Sequence, residues 1–489
     1  MKISLENTMT SNNLPVESSI PPKTSGKDPI SSPLLPMQRR RTLWWVASIL
    51  CTLIVIAATV LFYLFLPSKT TLYSSDVRPV TVLGIDAIEQ LAAENPEMFP
   101  RGNWPGWRGF NGQGIAPVGK PPVKFGPDQT ENILWKTTVS GKGYSSPVIW
   151  GNRLFLTTEI NKVLWIYCYD RSTGESLWQK EVGPALGSTH SQNGHASSTP
   201  VTDGEHLFTF FGATGLFCHT VDGELVWKVE LSNLYQMHGL ASSPMLYRDT
   251  VIQLCDNGSD SFIAAYDKAT GKEVWKTPRP SGGGWSTPVL AEYSGREELI
   301  VNGGCPAFLL PGKVLAYDPQ TGKELWKCTG PNMWGIPTPL LAGETAYILC
   351  GRNCDVEAIR LGGSGDVSAT HLLWSRSRTS PYVPSGVLYR NRLYIPGDNH
   401  RITCLNPGNG EVVFEQKIDG SCYASLLAAD GRIYGLTMGG TGYVLEAGDT
   451  GKILHQTDFD ETCFASPAVV DNDLFVRTET TLYCFREKR

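Results

Sequence analysis

"YDKATGKEVWK" spans Tyr266–Lys276, "YDPQTGKELWK" spans Tyr317–Lys327, and an earlier relative, "YDRSTGESLWQK", starts at Tyr169. In each, an Asp opens a tight turn, a Gly closes it, and a Trp follows four residues later. Asp and Thr side chains hydrogen-bond local backbone, and Gly accepts a positive φ at no steric cost. Aligned on that glycine, the chain repeats at Gly174, Gly223, Gly271, Gly322, Gly365, Gly410 and Gly451, 41 to 51 residues apart. The aromatic slot holds Trp178, Trp227, Trp275, Trp326 and Phe414. His455 takes it in the last copy, and Trp374 takes it at a stretched spacing in the fifth.

A second marker precedes each turn: Ser or Thr, then Pro or a small or apolar residue, then a short apolar run. It reads "YSSPVIW" from Tyr144, "SSTPVT" from Ser197, "ASSPMLY" from Ala241, "WSTPVLA" from Trp285, "IPTPLLA" from Ile336, "VPSGVLY" from Val383, "YASLLAA" from Tyr423 and "FASPAVV" from Phe464. Short β-branched and aromatic runs lie between, such as "RLFLTTE" and "TAYILCG", bounded by Gly, Asp or Asn, and these read as strands. Four strands per period is the arithmetic of a propeller blade. The eighth copy ends at Arg489 without its turn glycine or Trp, whereas "NILWKTTV", residues 132–139, has Trp135 in the right place and no preceding strands. The sequence therefore predicts an all-β, eight-bladed propeller over 132–489, with strand 132–139 completing the last blade. One large flat side chain per blade fills the wedge between neighbours.

The net charge is −5 and no basic patch lies beyond an N-terminal arginine cluster, so nucleic acid is not an expected partner. Residues 1–41 read as a disordered cytoplasmic tail ending in Arg39, Arg40 and Arg41. Leu43 to Leu66 carries no charge, a length that crosses a bilayer as a helix, so 42–67 is expected to be a single uncleaved transmembrane anchor. A secretory signal has a shorter core and a small-residue cleavage site, unlike "YLFLPSK". The arginines place the tail in the cytoplasm and the propeller outside, in the periplasm. Residues 68–131 read as a linker and lead-in, with one short helix ending near Pro96. The propeller is expected to be a monomer.

Residues Cys168, Ala265, Ala316, Ala358, Cys404, Leu445 and Cys484 share the slot two before the turn Asp, with Cys218 equivalent; free Cys there acts as a small apolar filler. Cys350 and Cys354 flank a hairpin turn and are candidates for a cross-strand disulfide. Cys422 and Cys463 hold equivalent places before successive innermost strands, either facing each other or packing.

The Ala/Cys-x-Asp-x-x-Thr-Gly-x-x-x-Trp period resembles the pyrroloquinoline-quinone (PQQ) repeat of eight-bladed quinoprotein dehydrogenases and of cofactor-free, BamB-like propellers. "NWPGWRGFNGQG" and "NGHASSTPVTDGEHLFTFFG" resemble BamB-like proteins, and the resemblance covers roughly 102–489. It implies that each tryptophan docks beside the small residue of a neighbouring blade motif. A PQQ dehydrogenase would imply an adjacent Cys-Cys pair, a tryptophan floor, Ca²⁺ ligands and a catalytic Asp. No Cys-Cys occurs, nor Cys-x-x-Cys-His, and no phosphate loop or nucleophile elbow is present.

The loops entering blades two and three carry the candidate site. His190, Asn193 and His195 precede one inner strand and His238 the next. Imidazoles so placed suit a divalent metal or an anionic ligand, making His190, His195 and His238 the alternative metal set; the bland role is ordering the rim. Asp256 and Asp260 lie on a loop of blade three, and Trp285 and Trp334 near inner-strand starts are candidates for a floor or channel lining. No assembled catalytic set emerges. The expectation is a binding scaffold for a protein or cell-envelope component, with no cofactor. The alternatives are a PQQ/Ca-dependent alcohol or sugar dehydrogenase and, third, a metal enzyme.

Overall fold

The computed structural model describes residues 49–50, 52–54, 70–72 and 102–488, apart from 259, 281, 305–311, 331–333 and 352–354. Two compact units divide the chain, Met1–Leu66 and Pro67–Arg489. In the first, the described residues 49–50 and 52–54 are helical. Most of the expected 42–67 span, the 1–41 tail and the short helix before Pro96 lie outside the described residues. Among the described residues no helix is long and apolar enough to cross a membrane.

The second unit is eight sheets, each with four antiparallel core strands. Blade 3 shows the plan: Met245–Tyr247 innermost, then Thr250–Cys255, Phe262–Asp267 and Glu273–Pro278. The middle strands are buried on both faces and so are apolar throughout, while the outer strand alternates. Blade 8 takes its outer strand from the other end of the domain. Ile133–Thr138 pairs with Thr481–Phe485, which sets Trp135 opposite Cys484. The same junction carries a charge cluster: Arg171 of blade 1 reaches Asp471 at 2.7 Å and Asp473 at 3.2 Å, and Arg486 also holds Asp473.

The tryptophans join the blades in order. Each docks on the turn glycine of the next blade: Trp135 on Gly174, Trp178 on Gly223, Trp227 on Gly271, Trp275 on Gly322 and Trp374 on Gly410, with Phe414 on Gly451. Each of those indole N–H groups donates to a carbonyl of that same turn region, for example Trp135 to Arg171 O at 2.8 Å and Trp374 to Pro407 O at 2.9 Å. Across the blade the indole faces the small slot, so Cys168 opposes Trp178, Cys218 opposes Trp227 and Ala265 opposes Trp275. These six glycines all have positive φ and would place a Cβ into the ring, so the turn needs Gly on two counts.

The fifth copy departs from the alignment. Gly365 has open space around it and belongs to a two-residue strand, Gly365–Asp366, that pairs in parallel with the outer strand of blade 4. Among the described residues no turn glycine therefore receives Trp326. Its Nε1 instead donates at 2.8 Å to the buried carboxylate of Glu298, which also accepts from Arg296. In the last copy, His455 gives its Nε2 to the Phe125 carbonyl at 2.7 Å, so a lead-in residue fills the aromatic slot's contact.

Much of the described lead-in is built into the disc. Asn103–Trp104 adds to the inner strand of blade 1, Ile115–Ala116 to that of blade 7, and Thr70–Leu72 to the outer strand of blade 5.

Candidate functional site

The second sequence marker builds the channel waist. Its Ser or Thr lies at the start of each inner strand, and Ser243, Thr287, Thr338, Ser385 and Ser425 line the central cavity. Ser146 N–H donates to the Thr199 hydroxyl at 3.0 Å, Thr199 N–H to Ser243, and Ser243 N–H to Thr287. Thr338 N–H donates to Ser385, Ser385 to Ser425, Ser425 to Ser466, and Ser466 back to Ser146, all at 2.9–3.0 Å. Seven of the eight blade junctions thus carry a hydroxyl link. At the eighth, the Thr338 hydroxyl accepts from the Trp107 indole at 2.9 Å instead. Such bonds contribute about 1 kcal/mol each.

Trp107 belongs to the lead-in, which closes one end of the channel. Arg108, beside it, is buried and spends its guanidinium on four backbone carbonyls: Gly112, Gln113, Ser385 and Gly386. Gln113 donates to Pro339 O and accepts from Leu341 N–H. The segment is therefore stitched to the inner strands of blades 5 and 6.

The other end opens into a funnel with Trp107 at its floor and a cavity volume of about 180 Å³. Its walls are aromatic: Tyr144, Trp285, Tyr382, Tyr423 and Phe464, with Tyr144 and Phe464 at a ring separation of 4.4 Å. Gln192 reaches over the funnel, accepting from the Tyr423 hydroxyl at 2.6 Å and donating to Met438 Sδ at 3.4 Å. Among the described residues the lining contains no Asp, Glu, Lys or Arg.

The structure brings His190, Asn193, His238, Trp285 and Trp334 together at this mouth. The rings of His190 and His238 are 5.3 Å apart, and Trp334 packs 6.3 Å from His238 and 5.8 Å from Trp285. Asn193 holds the His238 carbonyl at 2.7 Å. His190 Nδ1 accepts from Gln192 N–H at 3.3 Å. His195 does not join them. Its Nδ1 faces Glu159 at 2.8 Å and its Nε2 the Gly187 carbonyl at 3.2 Å. The three-histidine metal set is therefore not assembled, and among the described residues no group of three His, Cys, Asp or Glu is placed to hold a metal. Asp256 is likewise turned away: fully buried, it pairs with buried Arg279 at 2.8 Å, and Arg279 also reaches the Tyr317 hydroxyl. Asp260 caps its own loop, its N–H donating to Asn257.

Cys354 lies outside the described residues, and the Cys350 Sγ approaches the Asp355 carbonyl at 3.1 Å. Cys422 and Cys463 are buried thiols, each pushed up to about 12 by desolvation. Sequence reasoning did not single out Trp107, Arg108, Gln192 or Tyr423 for the site. Gln192 had a signal, sitting between His190 and Asn193; the two lead-in residues had none, because the partners that tie them to the inner strands lie more than two hundred positions away.

The family whose sequence model matches is described as outer membrane protein assembly factor BamB, a PQQ-type repeat, and it covers residues 162–332 and 365–486. BamB of Bordetella pertussis (strain Tohama I) is 22% identical over 210 residues, 42% of this chain and 47% of that protein. Methanol dehydrogenase [cytochrome c] subunit 1 of Methylorubrum extorquens is 26% identical over 168 residues, 31% of this chain and 27% of that protein. The chain spans about half or less of the length of these curated relatives. Among solved structures, a europium-containing methanol dehydrogenase superposes with a TM-score of 0.63 at 11% identity, over 81% of this chain and 100% of that one. BamB from Moraxella catarrhalis gives 0.52 at 14% identity, over 73% and 98%. These likenesses carry the fold: the chain belongs to the BamB-like family of PQQ-repeat β-propellers.

Proposed function

We propose that this chain is a membrane-anchored, extracytoplasmic binding module whose disc holds a protein or cell-envelope component and performs no quinone chemistry. The observation that carries this reading is the uncharged funnel lining. Ca²⁺ takes six to eight oxygen ligands, mostly carboxylates. The described lining supplies none, and two buried guanidiniums, Arg108 and Arg477, lie against the waist. The residues present do not fit a calcium-bound quinone. The mouth's rim suits a protein partner: Tyr235, Met237 and Leu186 are 63%, 60% and 42% exposed on loops flanking His238 and His190. Exposed Tyr and Met are enriched where proteins meet. The anchor rests on the uncharged Leu43–Leu66 run behind Arg39–Arg41.

The quinoprotein dehydrogenase reading is favoured by the Trp285–Trp334–His238 cluster at the mouth and by the methanol dehydrogenase relatives. Titration of the detergent-solubilised full chain with PQQ, with and without Ca²⁺, separates the two. Absence of calcium-dependent binding supports the scaffold; stoichiometric, calcium-dependent binding overturns it. Carbonate extraction and external protease treatment of intact cells test the anchor and the side on which the propeller lies.

A further inference from the structure

The marker hydroxyls do more than join blades. Each of the eight accepts a hydrogen bond, seven from a backbone N–H and one from Trp107. A hydroxyl also has one proton to give. None of the eight donates it to any described protein atom, although all are buried, and five of them front the cavity. A buried donor left unmade is costly. The five that front the cavity, Ser243, Thr287, Thr338, Ser385 and Ser425, thus carry O–H groups in need of acceptors within it.

Charge selects the kind of acceptor. Arg108 touches the carbonyl of Ser385, a ring residue. Arg477, also buried, donates to the carbonyl and hydroxyl of Ser145, next to ring residue Ser146. Both guanidiniums bond only neutral groups; no carboxylate pairs with either among the described residues. Burial alone holds Arg108 down at about 9, and burial is the leading cause that holds Arg477 at about 10. Buried charges are ordinarily paired. One carboxylate behind the lining, Asp398, is turned to the Tyr382 N–H at 3.2 Å. The cavity therefore combines hydroxyl donors and uncharged aromatic walls, with two buried guanidiniums bonded to residues of the ring or next to it.

We propose that the waist binds an oxyanion, a carboxylate or a tetrahedral group, with any organic body attached to it held between Tyr144, Trp285, Tyr382, Tyr423 and Phe464. The hydroxyl protons point at the anionic oxygens, and Arg108 and Arg477 supply the field without direct contact. This deepens the binding reading and rests on it, but it involves neither calcium nor quinone. Its failure is thus distinguishable from that of the reading, which falls only to calcium-dependent PQQ binding.

The test is isothermal titration of the solubilised full chain, in chloride-free buffer without calcium, with benzoate, benzamide and sulfate. The expected result is saturable binding of an anion and none of benzamide, which shares the ring but lacks the charge. Benzoate tighter than sulfate assigns the site to an organic acid; sulfate tighter assigns it to a free inorganic ion. Ser425→Ala removes one donor and weakens binding roughly tenfold or more, as loss of a hydrogen bond to a charged group does. Ser425→Thr keeps the hydroxyl and restores it. The proposal is overturned if neither anion binds up to tens of millimolar, if benzamide binds as well as benzoate, or if Ser425→Ala binds like the parent. Should Ser425→Ala not fold, the benzoate and benzamide comparison on the parent chain decides alone.

Discussion

Glu357 offers a sharp test of how this disc stores free energy. It sits mid-strand in blade 5, opposite Ile348 and Ser375, is 6% exposed, and its Oε2 finds no hydrogen-bond partner among the described residues. Burial, and then the nearby Asp355 charge, pushes its carboxyl up to about 8; the thiol of Cys328 lies within reach of the same field. The native state therefore keeps this proton while the unfolded chain releases it above about pH 4.5. Between those values the unfolded state binds fewer protons, so stability falls with rising pH. The slope is about 1.4 kcal/mol per pH unit, which amounts to roughly 4 kcal/mol between pH 5 and pH 8. Glu357→Gln keeps the shape and removes the titration. Urea unfolding of both proteins should give similar stabilities at pH 5, with the variant ahead by a few kcal/mol at pH 8. Comparing the two at each pH cancels the titrating groups that do not interact with Glu357. A difference that stays flat from pH 5 to pH 8 would refute the assignment of a buried, protonated Glu357.

Other consequences follow from the packing. Trp374→Ala, which removes a fully buried indole and its bond to Pro407, should cost about 3–5 kcal/mol in denaturant unfolding. Gly410→Ala should destabilise more than Gly151→Ala: both have positive φ and incur about 1–2 kcal/mol, but only at Gly410 does the new Cβ meet Trp374, at 2.6 Å. Asp256→Ala strands the buried Arg279 and should cost about 3–5 kcal/mol, while leaving the affinity for small anions unchanged. Asp473→Ala should loosen the ring where it closes, seen as faster amide exchange in Ile133–Thr138 than in the outer strand of blade 3.

The turn glycines, the tryptophans and the small Cys or Ala slots were legible in the sequence because each is a local demand repeated every period. A positive φ needs Gly, and a flat wedge between sheets needs one large aromatic and one small neighbour, wherever the blade stands. The number of blades follows from counting those demands. The fifth copy was misaligned at Gly365 because there the wedge is completed by Glu298, a residue outside the motif. The candidate site was legible only as a neighbourhood. His190 and His238 converge as their loop positions suggest, yet His195, five residues along the same loop, is taken by Glu159, and Asp256 by Arg279. Sequence spacing on a loop does not say which way a side chain turns.

The Ser/Thr markers show the division most plainly. Eight hydroxyl residues stood in the sequence as strand-start signals, and nothing local gave them a partner. Their bonds join residues about forty to fifty apart, and the last, Ser466 to Ser146, spans 320 positions. Trp107 and Arg108 likewise meet partners 231 and 277 residues away. The sequence by itself determined the blade, since a blade is specified by short-range turn chemistry and alternation. Only the tertiary structure decided the channel: its ring of hydroxyls, its plugged floor and its uncompensated cations exist because closing the circle brings together groups that no local rule connects.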